Sequence, residues 1–454
     1  MRRIWFALLV MFLAFAVIIQ ACGDDDNDPS STDGDSDGDT DGDTDGDTDG
    51  DTDGDTDGDA DDAGTDSGEE KTFTVTYDKN GATGGNVPID SHHYAAGDTV
   101  TILDNTGSLT NPGKYFDGWN TKADGSGAAR AAGDTFNMGH ENVTLFAQWS
   151  NSGEKWSQAT EHADFSPRQG HSSVVFDGKM WVVGGDDKTN RLNDVWSSTD
   201  GVTWTRVTEH AAFPARSKHT SLAYDDKMWV IGGENGSQYF NDVWSSADGV
   251  TWTRVTEHAA FSARAKHATV VFDDKMWVLG GVHSNSSDIV KRDDVWSSAD
   301  GVTWTRVTEH AAFSARSNHS AVVFDGKMWV LGGDNGSQYF NTAWSSSDGI
   351  TWTKADTTGV SDTDKFSGRG NHTSLVYKGK MWVLGGSNSN ASGSFKLNEV
   401  WSSSDGVTWS KADTTDNPFD KKDMHTAVVF ADKMWVIAGR DNDDNVTDDV
   451  WSAK

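Results

Sequence analysis

The stretch Ser172-Ser173-Val174-Val175-Phe176-Asp177-Gly178-Lys179-Met180-Trp181-Val182-Val183-Gly184-Gly185 reads as two short strands around a tight Asp-Gly turn. Asp194 to Ser198 and Thr203 to Val207 add two more runs rich in Val, Trp and Thr, joined at Asp200-Gly201, which reads as a second hairpin turn. Four antiparallel strands make a twisted sheet that cannot cover its own faces. Such a unit must stack on others.

The others follow in the same chain. A histidine opens each unit at His171, His219, His267, His319, His372 and His425, at intervals of 48, 48, 52, 53 and 53 residues, and a period near this length decides the architecture before any local reading does. Five units carry three tryptophans each, as at Trp181, Trp196 and Trp204. The sixth has only Trp435 and Trp451 before the sequence stops at Lys454. Its missing fourth strand is present at the other end, because Lys155-Trp156-Ser157-Gln158-Ala159-Thr160-Glu161-His162 aligns with Thr203 to His210. The expectation is an all-β chain whose residues 151–454 form a six-bladed β-propeller closed by an N-terminal strand, which removes the open edge. An open solenoid or a broken sixth blade would leave Trp156 unexplained.

The units resemble kelch repeats. The resemblance rests on the glycine pairs 184–185, 232–233, 280–281, 332–333 and 385–386, on Asp-Val-Trp or its variants in the third strand, on Thr-Trp in the fourth, and on Arg-x-x-His before the first. The last motif pairs Arg168 with His171, Arg216 with His219, Arg264 with His267, Arg316 with His319 and Arg369 with His372. Blade six departs twice, with Ala438-Gly439 and with Lys422 before His425. A weaker likeness, of Ser198 to Trp204 to the Asp-box of sialidase-type propellers, lacks one residue between Asp200 and Gly201 and serves as a hairpin signature only.

Upstream, the composition changes three times. Arg2 and Arg3 precede an apolar run from Ile4 to Ile19, shorter than the ~20 residues of a spanning helix, and Ile19-Gln20-Ala21-Cys22 resembles a bacterial lipobox. Residues 1–21 are thus expected to be a lipoprotein signal peptide. Cys22, the only cysteine, is the lipidation site that fixes the chain to an outer membrane or cell surface. Residues 22–70 form an acidic linker rich in Asp, Gly and Thr: Gly23 to Glu70 holds 23 of the 71 acidic residues and none of the 37 basic ones. With nothing apolar to bury, it should stay unfolded and act as a standoff. Asp33, Asp35, Asp37, Asp39 and Asp41 fit the opening of calcium loops, so weak calcium binding is the sharper alternative, although an EF-hand would need Glu where Thr44 stands. Residues 71–150 read as small all-β material. The span resembles the InlB B-type repeat, also called the Listeria-Bacteroides repeat, through Tyr77-Asp78-Lys79-Asn80-Gly81, Phe116-Asp117-Gly118-Trp119-Asn120-Thr121, Gly133-Asp134-Thr135-Phe136 and Ala147-Gln148-Trp149, with Arg130 where that family usually has tyrosine. The resemblance implies a β-grasp-like spacer or adhesive unit without chemistry.

Outside the linker, 48 acidic residues stand against 35 basic ones from Lys71 onward. No basic footprint offers itself to nucleic acid. Kelch-type copper oxidases of the galactose oxidase kind need a tyrosine cross-linked to cysteine, which this chain cannot build because Cys22 lies outside the propeller. Sialidase-like hydrolysis needs an arginine cluster with a Tyr-Glu pair, whereas the arginines here recur once per blade, as scaffold residues do. The six repeat histidines could ligate a metal at the axis, but a ring of equivalent residues is more simply structural. No catalytic residue and no cofactor is expected, with calcium the one possible ion.

The loops between second and third strands differ from blade to blade: Asp186 to Asn193, Glu234 to Asn241, Val282 to Asp293, Asp334 to Asn341, Ser387 to Asn398 and Arg440 to Thr447. They share a face with the arginine-bearing connections, and loops on a rigid scaffold are where recognition belongs. By the kelch resemblance, Arg168, Arg216, Arg264, Arg316, Arg369, Tyr239, Phe240, Tyr339 and Phe340 are the ligand-binding candidates. The function expected is non-catalytic display of a propeller that binds a protein or glycan partner. A secreted carbohydrate-active enzyme (lyase or glycosidase) and a calcium-dependent structural surface protein are the alternatives.

Overall fold

The computed structural model describes residues 71–112, 114–151, 155–284, 288–390, 393–412 and 419–454. Cys22 and the aspartates from Asp33 to Asp41 lie outside the described residues.

Residues 73–151 fold around a four-stranded sheet. Val75–Asp78 pairs in parallel with Val143–Asn151, which pairs antiparallel with Lys114–Asn120, followed by Ala129–Arg130. Phe73, Val75, Tyr77, Val100, Ile102, Leu109, Trp119, Met138, Leu145 and Ala147 are its buried core. At the position where the family usually has tyrosine, the Arg130 guanidinium lies 5.5 Å from the Phe136 ring centroid, so a cation on an aromatic face covers that edge.

Beyond Lys155 the chain forms six four-stranded sheets. Blade one is Ser172–Phe176, Lys179–Asp186, Arg191–Ser198 and Thr205–Thr208, and blades two to five repeat it. Blade six takes Thr426–Phe430, Lys433–Arg440 and Val446–Ala453 from one end and Trp156–Thr160 from the other. Trp156 stands opposite Ala453, and Gln158 opposite Trp451. The first-to-second connections are two-residue turns with both residues at positive φ, such as Asp177 (48°) with Gly178 (65°) and Asp225 (50°) with Asp226 (54°), the mirror-image geometry that matches strand twist.

The third-to-fourth connection is not the tight turn its Asp-Gly suggests. Ser197 pairs with Thr205, and the seven residues between them form a compact loop. There Ser198 Oγ accepts from the Gly201 N–H at 2.8 Å, while Asp200 Oδ1 accepts from the Val202 and Thr203 N–H groups, each at 2.8 Å. Those donors hold the Asp200 carboxyl below its usual pKa. Trp204 is thereby excluded from the strand, and its ring packs edge-on to Phe165.

Each hydrophobic cluster of the propeller joins two blades. Val174, Trp181, Val183 and Phe213 pack with Met228, Val230, Trp244 and Trp252. Blades six and one share Trp435, Ile437 and Val450 with Phe165, Met180 and Trp204. Around the axis the six residues preceding the histidines hydrogen-bond in a closed circuit: Lys218 N to Gly170 O, Lys266 to Lys218, Asn318 to Lys266, Asn371 to Asn318, Met424 to Asn371, and Gly170 to Met424, at 2.6–3.1 Å. That circuit runs through six blades and returns to its start.

Candidate binding face

Second-to-third connections and fourth-to-first connections meet on one face, where isolated bridges join Gln169 to Asp186, Ser217 to Glu234, Ala265 to Val282, Ser317 to Asp334, Gly370 to Ser387 and Asp423 to Arg440. The expected placement of these segments together holds. Their character differs from expectation, because most are not loops. In blade three the ladder continues past the glycine pair through Val282↔Lys291 to Ser284↔Ile289, and in blade five through Ser387↔Lys396 to Asn390↔Gly393. Blades two and four instead end in short turns, in which Asn235 and Asn335 each accept from the two N–H groups of the following Ser and Gln. Two long hairpins therefore flank the low turn of blade four. They expose Ile289 (73%) and Phe395 (37%).

The arginines correct the sequence reading. Arg168, Arg216, Arg264, Arg316 and Arg369 are 0–1% exposed, so none projects from the face as the sequence reading expected. Arg168, Arg216 and Arg264 each grip a carboxylate with both terminal nitrogens, at 2.7–2.8 Å from Asp194, Asp242 and Asp294. Each also donates to the carbonyl of the first glycine of the pair. Arg369 bonds Glu399 at 2.7 Å, and Lys422 makes the same link in blade six, bonding Asp449 at 2.6 and 2.7 Å. These side chains pin the fourth-to-first connection onto the third strand. Repetition was the signal that they are scaffold. Phe240 and Phe340 are also buried, each with a guanidinium 4.4 Å from its ring centroid. Of the nine candidates, Tyr239 and Tyr339 remain partly exposed. Tyr239 borders a cleft of 690 Å³ with Arg191, Lys218, Glu234, Gln238 and His283. Sequence reasoning passed over Ile289 and Phe395, although the segments that hold them are four residues longer than their counterparts.

The six histidines ring the axis and are 4–6% exposed. Nε2 lies 2.8 Å from Thr426 Oγ1 for His171, 2.8 Å from Ser172 Oγ for His219, 3.0 Å from Thr220 Oγ1 for His267 and 2.8 Å from Ser320 Oγ for His372. His319 donates from Nε2 to Leu279 O at 3.1 Å. Nδ1 of all six has no partner among the described residues, as suits an unprotonated nitrogen. Burial drives every one of these pKa values down, to about 3 for His219, His319 and His425. The imidazoles are thus neutral, and five of them link neighbouring blades, while Nε2 of His425 has no partner among the described residues. Among the described residues no group of three or more His, Cys, Asp or Glu side chains could hold a metal ion.

Comparison with known proteins agrees with this geometry. The family described as the KLHDC2/KLHL20/DRC7 Kelch-repeats domain matches residues 131–308, the DUF6242 beta propeller domain matches 246–373 and 277–403, and the Listeria-Bacteroides repeat domain matches 73–148. A putative membrane protein of Evansella cellulosilytica is 36% identical over 96 residues, 21% of this chain and 14% of that protein. The leucine-zipper-like transcriptional regulator 1 homolog of Drosophila melanogaster is 30% identical over 159 residues, 33% of this chain and 16% of its own length. The chain thus spans about a sixth or less of these relatives. Among solved structures, YjhT superposes with a TM-score of 0.52 at 16% identity, covering 64% of this chain and 96% of that one, which is a likeness of fold.

Proposed function

We propose that this chain, a kelch-repeat β-propeller preceded by a Listeria-Bacteroides repeat domain, is a non-catalytic binding protein displayed at a bacterial surface. The propeller fold supports a protein-binding or scaffolding role. The observation that carries the reading is the uneven face just described: two hairpins rise beside blade four and hold Ile289 and Phe395 in solvent. Exposed apolar side chains on rigid strands, rimmed by polar groups, are the composition of a partner contact rather than of a solvated loop. The partner in this reading is a protein, docked between the hairpins. Surface display rests on the Arg2–Cys22 segment, with Cys22 as lipid anchor, and on the resemblance to a protein named as a membrane protein. The acidic linker and the small β domain then act as spacers.

Probing protein and glycan arrays with the full chain tests this reading. Retention of a protein ligand that persists in EDTA, and is lost on joint Ile289→Asp and Phe395→Asp substitution, is the expected result. Undiminished retention by that variant, or steady product release from a glycan substrate, would overturn it.

A further inference from the structure

In five blades a single carboxylate two residues before the third-strand tryptophan collects several donors. Blade five has the fullest set: Glu399 accepts from Arg369 Nη2 at 2.7 Å, from Trp401 Nε1 at 3.1 Å and from Lys411 Nζ at 2.9 Å. Asp194, Asp242, Asp294 and Asp449 serve the corresponding cation and indole in blades one, two, three and six, with the indole N–H at 2.6–2.8 Å. Blade four puts Thr342 there instead.

Its donors nevertheless stay in place. Arg316 is 1% exposed; its Nη1 donates to Gly332 O at 2.8 Å and reaches Thr342 Oγ1 only at 3.3 Å, while Nη2 bonds nothing among the described residues. Trp344 Nε1 is the one buried tryptophan nitrogen without a partner among the described residues. Lys354 stands opposite Trp344 as Lys411 stands opposite Trp401, exposed and with no carboxylate at that position to meet. Burial without a counter-ion pulls the Arg316 pKa down to about 10. Thr342, Trp344 and Ser345 are partly exposed, as are Asp294 and Trp296 of blade three, so the outer edge of the position reaches solvent while Arg316 and the Trp344 Nε1 atom lie beneath it.

We propose that blade four binds a carboxylate supplied from outside the chain, held between Arg316 and Lys354 with the Trp344 indole N–H as a further donor. A planar group with two acceptor oxygens is what the same donors grip in the sister blades, and guanidinium–carboxylate pairs are strongest in that geometry. The carboxylate can come from a small free acid or from an acidic side chain of a docked protein. The site does not depend on the hairpin contact, since its occupant is read with small probes on the unpartnered chain.

Formate, acetate and N-acetyl-aspartate amide, titrated into the full chain while the Trp344 indole N–H resonance is followed, provide the test. A saturable shift is expected, with a dissociation constant on the order of millimolar for so few atoms. Thr342→Asp, which fills the position as five blades do, should abolish the response, and Lys354→Met should weaken it severalfold. Saturation by acetate alone marks a free acid as the source, and saturation by the aspartate probe as well marks a side chain. No shift with any carboxylate, an equal shift in Thr342→Asp, or chloride saturating as tightly as formate would overturn the proposal.

Discussion

At the scale of single residues, burial separates two kinds of arginine that the sequence presents as equals. Arg206 and Arg254, 48% and 46% exposed, pair with Glu209 and Glu257 three residues on, and such surface pairs contribute little. Arg216 lies wholly inside with Asp242, and removing one partner of a buried pair leaves an uncompensated charge. Arg216→Met should therefore lower stability by ~3–5 kcal/mol and Arg206→Met by under ~1 kcal/mol, read from urea unfolding of the two variants. Any loss of ligand binding in the first would follow from damage to the scaffold rather than from a lost contact. The opposite change is available in blade four. Thr342→Asp gives both Arg316 and Trp344 Nε1 the acceptor they lack, and a gain of ~1–3 kcal/mol should appear as a raised midpoint; a lowered one would mean that the aspartate cannot reach them.

At the scale of the element, the strands were legible and the connections only partly so. Short apolar runs of Met, Trp and Val mark every second strand and Val-Trp or Ala-Trp every third, and the mirror-image turns at 177–178 and 225–226 follow from their Asp and Gly residues. Asp200-Gly201 misled because side-chain acceptors, here Ser198 and Asp200, can close a longer loop that looks like a turn in sequence. The glycine of this loop, Gly201 in blade one and Gly249 in blade two, has a second task that no single-blade reading reveals. A Cβ on Gly249 would lie 2.3 Å from Trp181 Cζ3 of the preceding blade, while one on Gly178 would meet nothing within 4 Å, although both have positive φ (73° and 65°). Gly178→Ala should cost only the left-handed backbone penalty of ~1–2 kcal/mol. Gly249→Ala adds overpacking of another ~1–3 kcal/mol. Equal thermal midpoints for the two would show that the Trp181 ring yields freely.

At the scale of the whole molecule, the closed ring was legible because Trp156 completes a count that the C-terminal blade leaves short, and the pairing of Trp156 with Ala453 matches it. The relief of the binding face was not legible, since hairpin height depends on how far each ladder continues past the glycine pair, and strand propensity in Ser- and Asn-rich segments does not fix that. Closure also gives the molecule a dependence on acid. Six histidines are buried where successive blades meet, five of them hydrogen-bonded across through Nε2, and burial holds their folded pKa values below the ordinary 6.5, at about 3 for His219, His319 and His425. Between 6.5 and those values the unfolded chain takes up protons that the folded ring refuses, so stability falls as pH falls. The three with values near 3 alone give a slope approaching ~4 kcal/mol per pH unit once well below 6.5. His162, on the exposed clasp to Asp448, works in the other direction: its pKa is raised by that carboxylate, so its support is present in acid and fades as pH rises. It is one solvent-screened group against six buried ones. The urea midpoint should therefore begin to drop just below pH 6.5, before carboxylates titrate, and a midpoint level from pH 6.5 to 5 would mean that the imidazoles accept protons in place and that the ring does not depend on their neutrality.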